Sequence, residues 1–403
     1  MAEQKDPGRL IVLLAALAAF APLSIDTYLP SLPQIGQALN AGASSVQMTI
    51  GVFLLGLCLG MLCHGPLSDR FGRRPLLLGG VMLYLAASIG CMLVTNIEQL
   101  IVLRFFQAVG GAAAAVLARA IVRDLFAIKE AAKVLSLMHL VSMIATLVAP
   151  LCGSLLMELG GWRLIFVGLF CFAALCLVAA MWRIPESLPL ERRSASVGKV
   201  FKAYGHIIAQ PRAWGYILCM GLSFGGMFAF ITASPFVYVE YFHVSPRTYA
   251  WLFGLNIAGV IVMTFINARV VTRVGPLKML ASGATIAGLA GCALAFIGYT
   301  GLGGLPAIVA AVIVFVSVTG MLGANSVASL MGMFPDKAGA AAALAVSGQF
   351  AVGAGFSAVV STWANGTPMP MCLGMAVAGV GSLVAFLVVK ANQSGVAAQP
   401  SAS

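Results

Sequence analysis

The chain is short of charge, and above all of acidic residues. Of its 403 residues only 12 are Asp or Glu, and all charged residues together make up 9%. Soluble domains usually carry roughly 25% charged residues. Hydrophobic residues reach 61% and the mean hydropathy is +1.02. This composition excludes an ordinary soluble domain and indicates an all-α integral membrane protein.

The sequence also lacks the motifs of several kinds of chemistry. It has no GxxxxGK[ST] phosphate-binding loop and no soluble stretch long enough for a nucleotide-binding domain, which argues against an ATP-driven pump. The nine cysteines show neither metal-ligand nor redox spacing. Histidines occur without acidic partners or metal-ligand spacing, at His64, His139, His206 and His243. We therefore expect no enzymatic activity, no metal and no cofactor.

Twelve apolar segments are each long enough to cross about 30 Å of hydrocarbon as a helix. They lie at 10–37, 46–66, 75–95, 99–122, 134–157, 161–183, 213–239, 248–268, 277–299, 305–331, 339–364 and 369–390. The first segment follows Lys5 and Arg9 but is longer than the apolar core of a signal peptide. We expect it to be retained as the first of twelve transmembrane helices.

The distribution of Lys and Arg predicts the orientation. With both termini cytoplasmic, 19 of the 23 basic residues lie on the inner side, two (Arg163 and Arg247) lie outside, and Arg104 and Arg119 lie within helices. This asymmetry is what the positive-inside rule predicts for an even number of spans. The net charge of +11 then reflects the basic residues that orient the protein, and anionic lipids of the inner leaflet attract the same residues. It requires no nucleic-acid partner. A nucleic-acid patch at residues 192–202 is the alternative, but a solvated loop explains those charges better.

The longest polar stretch, residues 185–212, divides the chain into two halves of six spans. FAIKEAA at Phe126 is echoed by FPDKAGA at Phe334, and SDRFG at Ser68 is echoed by VTRVG at Val271, at similar offsets. These echoes suggest a duplication, as in secondary transporters built from parallel repeats. We predict a six-helix bundle over 1–184, a cytoplasmic linker over 185–212, and a second bundle over 213–403 that ends in a short disordered tail.

Several motifs carry a family resemblance that covers nearly the whole chain. GPLSDRFGRRP from Gly65 resembles the loop signature of the major facilitator superfamily. RFFQAVGGAAA and ATLVAPLCGSLL resemble its fourth- and fifth-helix signatures, although Ala108, Ala145 and Ala149 stand where glycines are usual. PLSIDTYLPSLP, together with RAIVRDLF and SPFVYVE, looks most like the bicyclomycin-resistance (Bcr/CflA) group of drug/proton antiporters.

The resemblance implies a fold of two pseudo-symmetric six-helix bundles and a function. It implies a monomeric multi-pass protein of the bacterial inner membrane that exports small amphipathic antibiotics, such as bicyclomycin or phenicols, in exchange for protons. Energy would come from the proton gradient. A proton-coupled uptake symporter or metabolite exporter on the same fold is the alternative, because the fifth-helix signature has lost glycines. A receptor or structural protein would show no substrate-dependent proton flux.

Asp26 is the one acidic residue inside a long apolar stretch. An ionisable group in hydrocarbon costs about 2.5 to 3.5 kcal/mol on insertion scales, so it marks a functional site. At about 1.5 Å per residue, Asp26 and Arg104 lie roughly 15 Å and roughly 9 Å from the outer ends of their helices, so we expect them to meet within about a helical turn. We predict that both act in proton coupling; the alternative is that Asp26 only neutralises Arg104.

The loop signature predicts a conformational latch. Asp69, Arg73 and Asp124 should form a charged cluster on the cytoplasmic side, where Gly72 permits a tight turn. The resemblance assigns this latch to Gly65, Asp69, Arg70, Gly72, Arg73 and Asp124. A basic loop that only obeys the positive-inside rule is the alternative. Pro150 and Gly153 should form a bend in the fifth helix, unless they serve plain packing.

The family architecture implies a drug cavity lined by spans 1, 4, 5, 7, 8, 10 and 11. Flexible apolar side chains tolerate varied ligands, and a few amides orient them. The substrate-binding candidates are Tyr28, Arg119, Met138, Met227, Phe228, Asn256, Asn325 and Gln349. For Arg119 the alternative is snorkelling to the inner interface, and for the Met and Phe residues it is packing.

Overall fold

The computed structural model describes residues 7–193 and 197–397, and in these ranges it is helical with no strand. The first half contains α1 (Pro7–Ala18), α2 (Phe20–Asp26), α3 (Leu32–Ala38), α4 (Ala43–Phe71), α5 (Arg73–Leu93), α6 (Ile97–Leu125), α7 (Ile128–Gly160) and α8 (Trp162–Arg183). The second contains α9 (Val197–Ile208), α10 (Pro211–Pro235), α11 (Pro246–Val274), α12 (Pro276–Thr300), α13 (Gly304–Ser317), α14 (Thr319–Met333), α15 (Ala338–Thr362) and α16 (Met369–Ala397).

The predicted number of spans is confirmed. Eleven helical segments among the described residues are long and apolar enough to cross a membrane, and a bent pair, Gly8–Ala18 with Phe20–Ala38, makes the twelfth. α13 and α14 together form one of the eleven, over Gly304–Met333. The all-α transmembrane class predicted from composition is therefore correct, while the placement of both termini on the cytoplasmic side stays a prediction.

The first span is interrupted, which the sequence reading did not anticipate. Its two parts meet at an angle of 42°. Pro22 has no N–H to offer to the carbonyl of Ala18, four residues earlier, and α1 ends there. Pro30 likewise cannot donate to the carbonyl of Asp26, where α2 ends, and a 3₁₀ turn over Leu29–Ser31 follows. Asp26 thus stands at a break in the helix.

Two compact units make up the chain. One comprises residues 1–198 with 244–254, and the other comprises residues 199–243 with 255–403. The division into bundles at 1–184 and 213–403 stays a prediction. Residues 391–397, expected in the disordered tail, continue α16, while the rest of the predicted tail lies outside the described residues.

The first unit packs its helices through small residues. α4, α5 and α6 approach each other closely: a Cβ at Gly110 would lie 2.6 Å from both the Gly80 carbonyl oxygen and the Tyr84 amide nitrogen. Small side chains are the usual contact between membrane helices, because lipid tails offer no hydrophobic force between them. A core of fully buried apolar side chains lies beside this contact, and Leu14, Phe20 and Leu117 belong to it.

The second unit follows the same principle around α10, α12, α15 and α16. A Cβ at Gly291 would lie 3.0 Å from the Cα of Ala376, so α12 and α16 are in near-backbone contact. A smaller apolar cluster lies at one end of this unit, and Ile207 of α9 is fully buried in it. The linker was expected to be a solvated loop, and this part of it is instead a helix held by Tyr204 and Ile207, which are 6% and 0% exposed.

Candidate functional site

Asp26 is the last residue of α2 and is only 4% exposed. The side chain of Thr146 on α7 lies beside it. The hydroxyl of Thr146 also donates to the carbonyl oxygen of Ser142, at 3.1 Å. A hydroxyl carries one proton but can also accept, so Thr146 can bond to a neutral or an ionised Asp26 in different orientations.

The backbone around Thr146 is also unusual. Pro150 lies inside α7 and has no N–H for the carbonyl of Thr146, four residues earlier. Gly153, seven residues after Thr146, lies on the same face of the helix, and a Cβ added there would overlap the carbonyl group of Thr27. The predicted bend residues therefore lie where α7 contacts the broken first span.

Arg104 on α6 is fully buried, with 0% exposure. Its guanidinium donates to Gln107 Oε1 at 2.7 Å and to the carbonyl oxygen of Ser24 at 3.0 Å. The same group stacks on two rings, 4.4 Å from the centroid of Tyr28 and 4.1 Å from that of Phe53. Neutral oxygen atoms and aromatic faces thus hold this cation.

Further polar groups continue the network around Arg104. Gln107 Nε2 donates to Ser88 Oγ at 2.8 Å, and Ser88 donates to the Tyr84 carbonyl at 2.8 Å. The hydroxyls of Tyr84 and Ser24 are 2.6 Å apart. Ser24 thereby ties the first span to α5 by its side chain and to α6 by its carbonyl.

Within the described residues no ion pair joins Asp26 to Arg104. Counting residues along each helix predicts depth, but it does not predict which way a side chain points around the helix axis. Ser24 contacts Arg104, and Asp26, two residues later, is turned by about 200° on the helix, toward Thr146 instead. The assignment of both residues to proton coupling stays a prediction.

The substrate-binding candidates of the first unit have different surroundings. Tyr28 is 0% exposed; its ring carries Arg104 and its hydroxyl lies 3.0 Å from Thr49 Oγ1. Met138 is 2% exposed and belongs to the apolar core. Arg119 is exposed on α6, and His139 of α7 is its electrostatic neighbour.

The candidates of the second unit lie on α10, α11, α14 and α15. Asn325, 3% exposed, donates through Nδ2 to Asn267 Oδ1 and to the Met321 carbonyl, each at 2.8 Å. Asn256 is also buried, and Gln349 is half-buried. Met227 Sδ lies 3.8 Å from the hydroxyl of Thr319, and Phe228 packs on the rings of Phe224 and Phe350 at 5.0 and 6.5 Å. Their role in substrate binding stays a prediction.

Three residues of the predicted latch, Asp69, Arg73 and Asp124, come together at the ends of α4 and α6 and the start of α5. Arg73 lies 2.7 Å from Asp69 Oδ1 and 3.1 Å from Asp124 Oδ2. It also donates to Ser68 Oγ, and Ser187 Oγ donates to Asp124 at 3.0 Å. One guanidinium thus bridges two carboxylates, which matches the spatial arrangement expected from the motif.

Glu186 completes this cluster and was not identified from the sequence. Its carboxylate accepts from the backbone N–H groups of Arg73 and Arg74, at 2.9 and 3.3 Å, and from that of Leu188 at 3.0 Å. Arg193 lies 3.6 Å from the same carboxylate. The first N–H groups of a helix have no partner inside it and favour negative charge. The feature of the sequence that could have identified Glu186 is its place as an acidic residue just after the sixth span.

The other loop residues have distinct places. Gly72 has φ of +101°, and a Cβ there would overlap the carboxylate of Glu186, so both conformation and space require glycine. Gly65 has open space around its Cα. The guanidinium of Arg70 lies 5.2 Å from the ring centroid of Phe71 and is not part of the Arg73 cluster. In the second half, Thr272 stands where Asp69 would be and donates to the carbonyl of Arg269 at 3.3 Å.

In the described part of the chain, no group of three or more His, Cys, Asp or Glu side chains is arranged to hold a metal ion. A bundle of membrane helices with a buried carboxyl group at an interrupted helix is typical of secondary membrane transporters.

The chain belongs to the Major Facilitator Superfamily, whose family model matches residues 14–358. A bicyclomycin resistance protein homolog of Haemophilus influenzae is 33% identical over 96% of this chain and 97% of that protein. A chloramphenicol resistance protein of Pseudomonas aeruginosa is 34% identical over 68% of this chain and 64% of its own length. The resemblance to the bicyclomycin-resistance group is thereby confirmed. As a multi-pass member of this family with bacterial relatives, the protein lies in the inner membrane.

Solved structures support the fold. A D-xylose-proton symporter matches with a TM-score of 0.72 over 94% of this chain and 96% of that one, at 17% identity. The nucleoside transporter NupG matches with a TM-score of 0.69 at 13% identity, over 95% and 98% of the two chains. At these identities the likeness concerns the fold alone.

Proposed function

We propose that this protein is a drug/proton antiporter that exports small amphipathic antibiotics, such as bicyclomycin or phenicols, by alternating access. The observation that carries the proposal is the buried carboxyl group of Asp26, at a helix break beside Thr146 and the Pro150 segment of α7. The near full-length similarity to a bicyclomycin resistance protein homolog supports this substrate class. We propose a monomer with no cofactor and no chemical step.

The proton would act through the Asp26 carboxyl group. Neutral Asp26 can donate to Thr146 Oγ while Thr146 keeps its bond to Ser142, whereas ionised Asp26 competes for the single hydroxyl proton. Gain or loss of the proton therefore changes the bonding of α7 next to Pro150, where the helix already lacks one backbone bond. Drug binding and protonation would exclude each other in each cycle.

Arg104 would support this role through its position. Neutral oxygen atoms and aromatic rings hold its guanidinium, and its bond to the Ser24 carbonyl places a cation against the span that carries Asp26. The cluster of Asp69, Arg73 and Asp124 would act as a latch that forms and breaks as the transporter alternates. Its groups are part-exposed, with 39%, 11% and 21% of their side chains accessible, so separating the charges is far less costly than in a dry interior.

The energetics allow useful export with one proton. Moving one proton through 100 mV supplies about 2.3 kcal/mol, and each tenfold concentration ratio requires about 1.4 kcal/mol. Exchange of one proton for one neutral drug molecule thus sustains a gradient of roughly forty-fold per 100 mV.

Drug-induced proton release from the purified protein in weakly buffered detergent tests the proposal. A panel of bicyclomycin, phenicols and sulfonamides is added to the wild-type protein and to Asp26→Asn. We expect release from the wild type with at least one compound and none from the variant. Release by Asp26→Asn equal to that of the wild type would rule out the carrier role, and no release with any compound would rule out antiport.

An uptake symporter is the second candidate, because Ala145 and Ala149 replace glycines of the fifth-helix antiporter signature. Proteoliposomes distinguish the two directions. An inward proton gradient is imposed on the vesicles. If the protein is an antiporter, protons that enter the vesicles should drive drug out of them. Accumulation of drug inside the vesicles would establish symport instead.

A further inference from the structure

Helix α9 lies in the segment that follows the sixth span and has 12 residues. This is too short to cross a bilayer, which needs about 20 residues. The sequence pattern predicted a solvated loop here, so the helix and its surroundings call for a physical explanation. Its residues divide into a face packed on the protein, an exposed apolar face and exposed basic side chains.

The packed face holds α9 on the second unit. Tyr204 and Ile207 are buried, and the ring of His206 lies 6.4 Å from that of Phe334. Ile207 belongs to the small apolar cluster at this end of the unit. The other members of the cluster are Ala213, Ile217, Met220, Leu330, Ala341 and Ala345. The helix therefore has a fixed place, and its remaining faces are presented in a defined direction.

The exposed apolar face consists of Phe201 and Ile208, which are 46% and 42% exposed. They are seven residues apart, so they share one side of the helix. The Trp214 indole donates to the Ile208 carbonyl at 2.8 Å, and Trp214 and Leu218 of α10 are 41% and 37% exposed. The apolar path thus runs without a break onto a helix that is a membrane span.

The exposed basic side chains are Lys199, Lys202 and Arg212. Acidic residues are almost absent from this half of the chain: after Glu191 only Glu240 and Asp336 remain. Neither lysine has an ion-pair partner among the described residues.

Neither Glu240 nor Asp336 offsets this basic charge. Glu240 lies at the other end of the α10 span, about 42 Å from Arg212 at 1.5 Å per residue. Asp336 lies on the neighbouring 3₁₀ turn next to Lys337 in the chain, so the two add no net charge. Among the described residues that follow Glu191, no acidic side chain therefore neutralises the basic charge at this end of the unit.

We propose that α9 is an interfacial helix that binds the headgroups of anionic phospholipids. Phe201 and Ile208 enter the acyl boundary, as amphipathic helices do, while Lys199, Lys202 and Arg212 extend to lipid phosphates. Each basic residue at such a surface contributes roughly a fivefold preference for anionic over neutral lipid. The inference is independent of which solute the protein transports.

Trp214 is a natural reporter beside this surface. In a full-length protein whose other four tryptophans are replaced by Phe, its fluorescence is measured in vesicles with equal fractions of brominated phosphatidylglycerol or brominated phosphatidylcholine. We expect stronger quenching by phosphatidylglycerol, and a loss of that preference in Lys199→Gln/Lys202→Gln. The matched control is Lys129→Gln/Lys133→Gln, which removes two exposed lysines from α7 and should keep the preference.

Three results would overturn the proposal. They are equal quenching by the two lipids, a preference that survives Lys199→Gln/Lys202→Gln, and no quenching by either lipid. If the tryptophan-depleted protein does not fold, native mass spectrometry of the protein with all its tryptophans replaces fluorescence. Retention of phosphatidylglycerol should then fall about twenty-five-fold in Lys199→Gln/Lys202→Gln relative to the α7 control, and equal retention would contradict the inference.

Discussion

Two sets of acidic side chains in the first unit have opposite surroundings. Asp69 and Asp124 share the guanidinium of Arg73 at 2.7 and 3.1 Å, at the ends of their helices. Asp26 is 4% exposed, and the hydroxyl of Thr146 lies beside it. A carboxylate beside a guanidinium forms an ion pair, whereas a carboxyl group beside a hydroxyl can bond in either protonation state. The first arrangement suits a latch, and the second suits a proton carrier.

The same chemical change in the two regions should have very different results. Asp26→Asn keeps the shape but removes the titratable group, so we expect the sustained drug gradient to fall roughly forty-fold per 100 mV, to background. Asp69→Asn removes a part-exposed ion pair, and we expect about a twofold lower rate. Efflux of a fluorescent drug from energised cells or vesicles measures both. Equal losses in the two variants would remove the distinction between carrier and latch.

Thr146 sharpens the comparison, because its hydroxyl is what distinguishes the surroundings of Asp26 from an apolar pocket. Thr146→Val keeps the shape and removes the hydroxyl that lies beside Asp26 and donates to the Ser142 carbonyl. A lost hydrogen bond is worth about 1 kcal/mol, so we expect about fivefold slower proton-coupled efflux. Thr146→Ser retains the hydroxyl and should stay close to the wild type. Drug-induced proton release at several pH values shows whether the Val variant has altered the proton step, and an unchanged release profile would assign Thr146 to packing.

Glu186 probes the latch region with the smallest expected effect. Glu186→Gln keeps one acceptor oxygen but removes the negative charge from the start of α5, worth about 0.5 kcal/mol, so we expect about a twofold lower transport rate. Substrate affinity should be unchanged, because the bonds of this carboxylate among the described residues go to the Arg73, Arg74 and Leu188 backbone and to Arg193. Glu191→Gln, an exposed residue of the same linker, is the matched control. A lower rate in the control as well would indicate a general effect of linker charge.

Much of the fold could be predicted because hydrocarbon imposes strict rules on sequence. Twelve spans followed from apolar length, and the family followed from loop and helix motifs such as GPLSDRFGRRP. The break at Asp26 was also present in the sequence as Pro22 and Pro30, whose effect on residues 18 and 26 follows from local chemistry. Apolar length alone predicts one continuous helix over 10–37 and does not reveal the break.

The sequence predicted which residues belong to the site better than it predicted which of them are in contact. Asp69, Arg73 and Asp124 were expected together, and the structure places them together. Asp26 and Arg104 were expected to meet, and they face different neighbours, Thr146 and Ser24. Depth can be counted along a helix, but rotation about the axis depends on how neighbouring helices pack. Glu186 was missed for a related reason, since it acts on a backbone 113 residues away in the chain.

The sequence by itself determined that this is a twelve-span membrane protein of the Major Facilitator Superfamily, because burial in lipid restricts which residues can occur and for how long. It also identified Asp26, since a lone acid in an apolar run has few explanations. Only the tertiary structure decided what Asp26, Arg104 and Lys199 have beside them. Those neighbours come from helices that are distant in the chain and approach each other closely, as Gly153 approaches Thr27. No local sequence pattern encodes such an approach.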